Sequence, residues 1–174
     1  GYQISQNTHP IVSNGYINIV SEEKEKHIRI LRLHLEQDAG KSIHDLHPDC
    51  SYIDLNRAGV ALMEIVTEPD IENAQDAMQF VKKLRTILKY IGTCDCDMEK
   101  GNLRVDVNVS IHKPGTPLGT RAEIKNINSF RSVERAIVSE YARQADLLDQ
   151  GLEVKQETRN FVDETSSTTP LRSK

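Results

Sequence analysis

The sequence predicts an α+β fold: a mostly antiparallel sheet with helices on one face. Two observations carry the prediction. Several short stretches alternate apolar and polar residues with a period of two, as half-buried strands do. Two longer stretches repeat apolar residues at helical spacing, as amphipathic helices do. Their order is strands, helix, strands, helix, which suits helices layered on one side of a sheet.

The elements follow in order. Tyr2 to Gln6 alternates and stops at Asn7 to Pro10. Asn14-Gly15 reads as a turn before a strand over Tyr16 to Val20. The charged stretch Ser21 to Lys26 is a hairpin tip leading into a strand from His27 to Glu36. In that strand Leu31, Leu33 and Leu35 point one way, and Arg32, His34 and Glu36 the other. Gly40-Lys41-Ser42 resembles the end of a phosphate-binding P-loop, but the earlier glycine is missing and the preceding residues are acidic, so it reads as a loop. His44 and His47 flank a solvated loop. Asp54 and Asn56 make a further polar row, opposed by Ile53 and Leu55. Val60 to Thr67 is the most apolar segment, with Glu64 in its middle. A carboxylate inside such a run is costly unless it is paired or bound to a cation.

Asn73 caps the first helix, with Asp76 three residues on. Ala77, Val81, Leu84, Leu88 and Ile91 form its expected buried stripe, and Gly92 ends it. In Leu103 to Ser110, Leu103, Val105, Val107 and Val109 oppose Arg104, Asp106, Asn108 and Ser110. Arg121, Glu123 and Lys125 form another polar row, opposed by Ala122 and Ile124. The second helix starts near Asn128 or Ser129, with Val133, Ile137, Tyr141, Ala145 and Leu148 as its stripe and Gly151 as its stop. Beyond Val162 the chain turns polar, and no further element is expected.

Composition limits the function. A chain of 174 residues with 37% hydrophobic content has a sizeable core within reach. No apolar run is long enough to span a membrane, so no membrane partner is expected. Cys50, Cys94 and Cys96 fit a reducing compartment, and Cys94 and Cys96 stand too close for the usual zinc spacing. The net charge of −4 gives no general attraction to RNA, so any RNA contact is local or shared with another domain or subunit. Asp and Asn are poor strand formers, yet both interrupt strand patterns at Asp54, Asn56, Asp106 and Asn108. Carboxylates, amides and cations repeated on strand faces suit a metal–phosphate site.

Seven strings make the chemistry recognisable: Gly1 to Gln6, Leu33 to Lys41, Asp54 to Gly59, Met63 to Asp70, Gly101 to Ser110, Glu123 to Phe130 and Gln156 to Arg159. In this order they closely resemble the B-subunit family of tRNA-dependent amidotransferases, the GatB/GatE family. The resemblance implies a cradle related in fold to glutamine synthetase. It also implies phosphorylation of the side-chain carboxylate of Glu-tRNA(Gln) or Asp-tRNA(Asn), with ATP and Mg²⁺. The implied partners are an amidase subunit, which supplies ammonia, and a small third subunit. The implied location is the bacterial cytoplasm, or a mitochondrial or plastid matrix.

The family's metal-holding acids lie in the segments matching Glu36 and Glu64, so those two residues are the expected metal ligands. Arg32, Arg104, Arg121 and Lys125 are the candidate nucleotide and phosphate contacts. Asp106, Asn108 and Lys125 are the catalytic candidates, and Ser5 and Gln6 the substrate candidates. The resemblance implies that the other metal-site residues come from a Gly-Leu-Glu-Val-His string, which is absent here, and many bacterial members carry two glutamates before the aspartate where this chain has Glu36-Gln37-Asp38. The expectation is a partial cradle over 1–160 and a truncated following segment over 161–174. On that expectation the N-terminal part of the cradle and the C-terminal helical and tail domains are absent, and the isolated chain is silent. The competing reading is a non-catalytic tRNA-binding or scaffold module that retains the fold.

Overall fold

A computed structural model describes residues 4–44 and 46–173. The elements are β1 (Val12–Ser21), β2 (Lys24–Gln37), β3 (Lys41–Ile43), β4 (Tyr52–Asp54), β5 (Ala61–Thr67), α1 (Ala74–Tyr90), β6 (Val105–Val109), β7 (Ala122–Ile127), α2 (Phe130–Asp149), β8 (Glu157–Val162) and β9 (Ser167–Ser173). The fold is α+β with mostly antiparallel pairing, as predicted, but the strands divide among three sheets. The chain forms two compact units, one of Gly1–Asn18 with His27–Asp70, the other of Ile19–Lys26 with Ile71–Lys174. No helix among the described residues is long and apolar enough to cross a membrane.

The first unit is built on a three-stranded sheet in the order β1-β2-β5, with the short pair β3-β4 beside it in sequence. Strands β1 and β2 are joined at Glu22-Glu23, both at positive φ (52° and 61°), the backbone a tight hairpin turn demands. The expected turn at Asn14-Gly15 does not form. Asn14 takes a positive φ of 58° within β1, a conformation Asn tolerates, and the strand runs on. Asp54 and Asn56 are not a strand row either. The Asp54 carboxylate accepts hydrogen bonds from the Asn56 backbone N–H (2.9 Å) and its side-chain amide (2.6 Å), folding the chain into a turn. Lys41 and Ser42, read as loop, lie in β3.

Strand β2 also reverses an expectation. Its polar row is the shielded one: His34 is 0% exposed, whereas Leu31 and Leu35 are 40% and 43% exposed. The register slips by one residue between Ile30 and Arg32, separating the buried apolar half of the strand (Ile28, Ile30) from the polar half.

The second unit carries the four-stranded sheet β6-β7-β8-β9. β7 and β8 are parallel, and α2 is the crossover that such a pair requires. The core is Ala77, Val109, Ala122, Ile124, Ile127, Val133, Ala136 and Phe161. Both predicted helix starts hold. Asn73 Oδ1 accepts from Asp76 N (2.8 Å), and Ser129 Oγ accepts from Ser132 N (3.0 Å).

The helix stripes are shifted. In α1, Phe80 joins Ala77, Val81 and Leu88, while Ile91 is the exposed C-cap. In α2, Tyr141 and Leu148 are exposed, and the buried positions are Ser132, Val133, Ala136, Glu140 and Gln144. The polar end beyond Val162, expected to hold no element, doubles back as β9 on β8. Glu140 explains both departures. Its carboxylate takes hydrogen bonds from Arg143 (2.6 and 2.9 Å), Gln144 (2.8 Å) and Thr168 of β9 (3.1 Å), so a buried charge ties α2 to the last strand.

Candidate functional site

Two strands of the first unit assemble a cluster of titratable groups. β2 and β5 pair antiparallel with His34 opposite Glu64 and Glu36 opposite Leu62. Residues directly across a pair share a face, so Glu36, His34 and Glu64 all project from the same side. One ligand-capable atom from each lies within 4.8 Å of the others. His34 Nε2 is 3.1 Å from a Glu64 carboxylate oxygen and 3.9 Å from one of Glu36. The side chains differ in access: Glu64 is 49% exposed and Glu36 17% exposed. The cluster therefore opens to solvent at its glutamates and closes at its imidazole.

The expected residues around it are placed unevenly. Arg32, one alternation along β2, donates its Nε–H to His34 Nδ1 at 3.4 Å. Ser5 forms a bridge with Glu36, and the backbone N–H of Gln6 bonds Leu35 O at 3.2 Å, so the N-terminal string runs along the edge of β2 at the cluster. Asp38, in the same string as Glu36, belongs elsewhere. It is 6% exposed and accepts from Arg57 Nε at 3.0 Å, fastening the loop before β5. His34 was legible only as one residue of a polar row. Its signal was a histidine two residues before a candidate ligand on the same strand face, with a glutamate later in the chain to pair across it.

Mg²⁺ takes oxygen ligands and retains several waters. Two carboxylates converging at a half-open position fit such an ion, and the buried imidazole nitrogen beside them has no hydrogen-bond partner among the described residues.

The second unit presents its own polar face. Asn108 pairs with Glu123 across β6 and β7, and Glu123 and Lys125 pair with Thr158 and Asn160 across β7 and β8. Lys125 Nζ bonds the Asp106 carboxylate and lies 3.5 Å from Glu123. Thr158 Oγ1 donates to Glu123 at 3.0 Å. Burial pulls the Lys125 ammonium down, but the hydrogen bond and charge of Asp106, together with Glu123, more than offset it. The net shift is upward, so Lys125 stays charged at neutral pH. It is suited to steadying an anion and not to accepting a proton.

Asp106, Asn108 and Lys125 thus stand together on one strand pair. Arg104 and Arg121 do not join each other. Each just precedes its strand, and with Val109 opposite Ala122 and Val105 opposite Ile127 they sit at opposite ends of the β6–β7 pair. Sequence reading also missed a cavity of about 210 Å³ where β7 and β8 end beside the start of α2. Asn126, Asn128 and Asn160 line it, with Ser132 and Asp163.

Known proteins resemble this sequence along its whole length. The chain matches the GatB/GatE catalytic domain over residues 1–174. It is 59% identical to the B subunit of the aspartyl/glutamyl-tRNA(Asn/Gln) amidotransferase of Rickettsia bellii, 58% to that of Rickettsia rickettsii and 56% to that of Xanthobacter autotrophicus. Each alignment covers 100% of this chain, which spans 36% of the two Rickettsia proteins and 35% of the Xanthobacter one. With the sheet pairing that gathers Glu36 and Glu64 and the identity running the length of the chain, the protein belongs to the GatB/GatE family.

Proposed function

We propose that this domain activates the side-chain carboxylate of Glu-tRNA(Gln) or Asp-tRNA(Asn) for amidation during translation, using ATP and Mg²⁺. The observation that carries the reading is the convergence of Glu36 and Glu64 from separate strands on one position. Glu36 and Glu64 would hold the ion, which when bound neutralises charge on the phosphates. A carboxylate oxygen of the aminoacyl group attacks the γ-phosphorus, and the bond to ADP breaks. Ammonia then attacks the activated carbonyl carbon, loses a proton, and phosphate leaves.

The chain's own residues contribute positioning and charge, the main requirements of phosphoryl transfer. Arg32 lies beside the cluster. Lys125 offers a permanent cation, with Arg104 and Arg121 at the ends of its strand pair, for phosphate contacts. Asp106 and Asn108 orient the reacting groups around Lys125, and Ser5 and Gln6, along the edge of β2, contact the aminoacyl end. The amidase partner supplies the ammonia, and the small third subunit joins the two in one assembly. The setting is the bacterial cytoplasm or an organelle matrix.

The test uses the complete enzyme. Glu36→Gln or Glu64→Gln should lower tRNA-dependent ATP consumption and amidation by about 100-fold or more, while glutamine hydrolysis by the amidase partner persists. Full amidation in both variants would reject the reading and favour a tRNA-binding or scaffold module.

A further inference from the structure

We propose that His34 is a positioning residue for the cation site. It donates its Nε2–H to the Glu64 carboxylate, in the tautomer that Arg32 selects, and stays outside the ion's coordination shell. The inference rests on the reading of Glu36 and Glu64 as the cation's ligands.

The far side of the ring sets the tautomer. A guanidinium has donors only, so the Arg32 Nε–H can meet Nδ1 only if Nδ1 carries no proton. In a neutral imidazole the proton is then on Nε2, the nitrogen turned toward Glu64 at 3.1 Å and Glu36 at 3.9 Å. A histidine that ligates a metal shows the opposite polarity: its free nitrogen donates to a carboxylate or carbonyl, which leaves the other nitrogen's lone pair for the ion.

Ligand chemistry points the same way. Divalent ions that serve phosphates take oxygen donors, and imidazole suits zinc, copper and nickel. Burial adds the reason for a donor at this place. His34 is fully shielded, and its Nε2 has no partner of good geometry among the described residues, so a carboxylate that turns toward it gains a bond otherwise left unmade. With one Glu64 oxygen turned to the ring N–H, its other oxygen is left for the ion beside Glu36.

The experiment uses the full-length protein with Mn²⁺ as the probe, and reads affinity and spin-echo spectra. Any nitrogen coupling of a directly coordinated imidazole should be the same in the wild type and in the His34 variants. His34→Leu, which fills the space without a donor, should weaken Mn²⁺ binding about 10-fold or more. His34→Gln, which can place an N–H near the Nε2 position, should recover most of that loss. A coordinated-nitrogen signal in the wild type that disappears in His34→Gln would overturn the proposal even if His34→Leu folds poorly, and so would unchanged binding in a folded His34→Leu. Equal losses in the Leu and Gln variants would overturn it as well. If Glu36→Gln and Glu64→Gln both leave Mn²⁺ affinity unchanged, the cation reading itself fails, a result separable from the others because it does not involve His34.

Discussion

Arg159 of β8 points its Nε toward the fully buried carboxylate of Glu140 on α2, 3.7 Å away, while its guanidinium also bonds Glu157 and the backbone oxygen of Thr168. Every charge in this group is shielded, and each is answered by another. The pair belongs to the sheet's helix-covered side, because Arg159 lies opposite Ile124. It thereby separates the structural arginine of the Gln156–Arg159 string from the polar face on the other side.

Removing one member should be severe. Glu140→Ala leaves Arg159 and Arg143 buried or half-buried without their shared carboxylate, and should cost about 3–5 kcal/mol of unfolding free energy. Urea denaturation at neutral pH measures it. A loss below about 1 kcal/mol would mean that the network is incidental to the attachment of β9.

The two faces of the second sheet should respond differently. Ile124 is wholly buried, and Ile124→Asp should cost about 4 kcal/mol or more by burying an unpaired charge. Asn108 is exposed on the polar face, so Asn108→Ala should change stability by about 0.5 kcal/mol or less while slowing amidation by the complete enzyme. Thermal melts of both variants beside turnover of the second check the assignment. Similar destabilisation in the two would contradict it.

Acid should weaken the first unit through Asp70. The Arg29 side chain bonds both its oxygens, at 2.8 and 2.6 Å, and the Arg29 backbone N–H adds a third bond at 2.9 Å. The Arg29 hydrogen bonds hold the Asp70 carboxyl below its ordinary 3.8, against the upward pull of burial. A carboxyl depressed on folding adds stability that is fully present above 3.8 and is lost as pH falls through the folded value. The stability difference between wild type and Asp70→Asn should therefore be largest near neutral pH and shrink below about pH 4. Denaturant midpoints across that range test it, and a constant difference would show that the carboxylate's charge is not what the fold uses.

Period-two alternation alone determined β6, β7 and most of β2. Capping residues alone located the starts of α1 and α2, since Asn73 and Ser129 each act on a backbone group three residues away. Those are local effects, and a local pattern suffices for them. Glu64 was also legible, because a carboxylate in an apolar run needs a partner wherever the run goes.

What lay across the chain was not legible. The register that sets His34 opposite Glu64 depends on a one-residue slip between Ile30 and Arg32, and a single residue of slip changes which face every later side chain takes. The same holds for α2. Its exposed Tyr141 and buried Glu140 differ by one position on the helix, and the choice follows from where Arg159 and Thr168 stand on strands that come later in the chain. The type of each residue settles what it can offer to a neighbour, but pairing between distant strands decides which neighbour it meets.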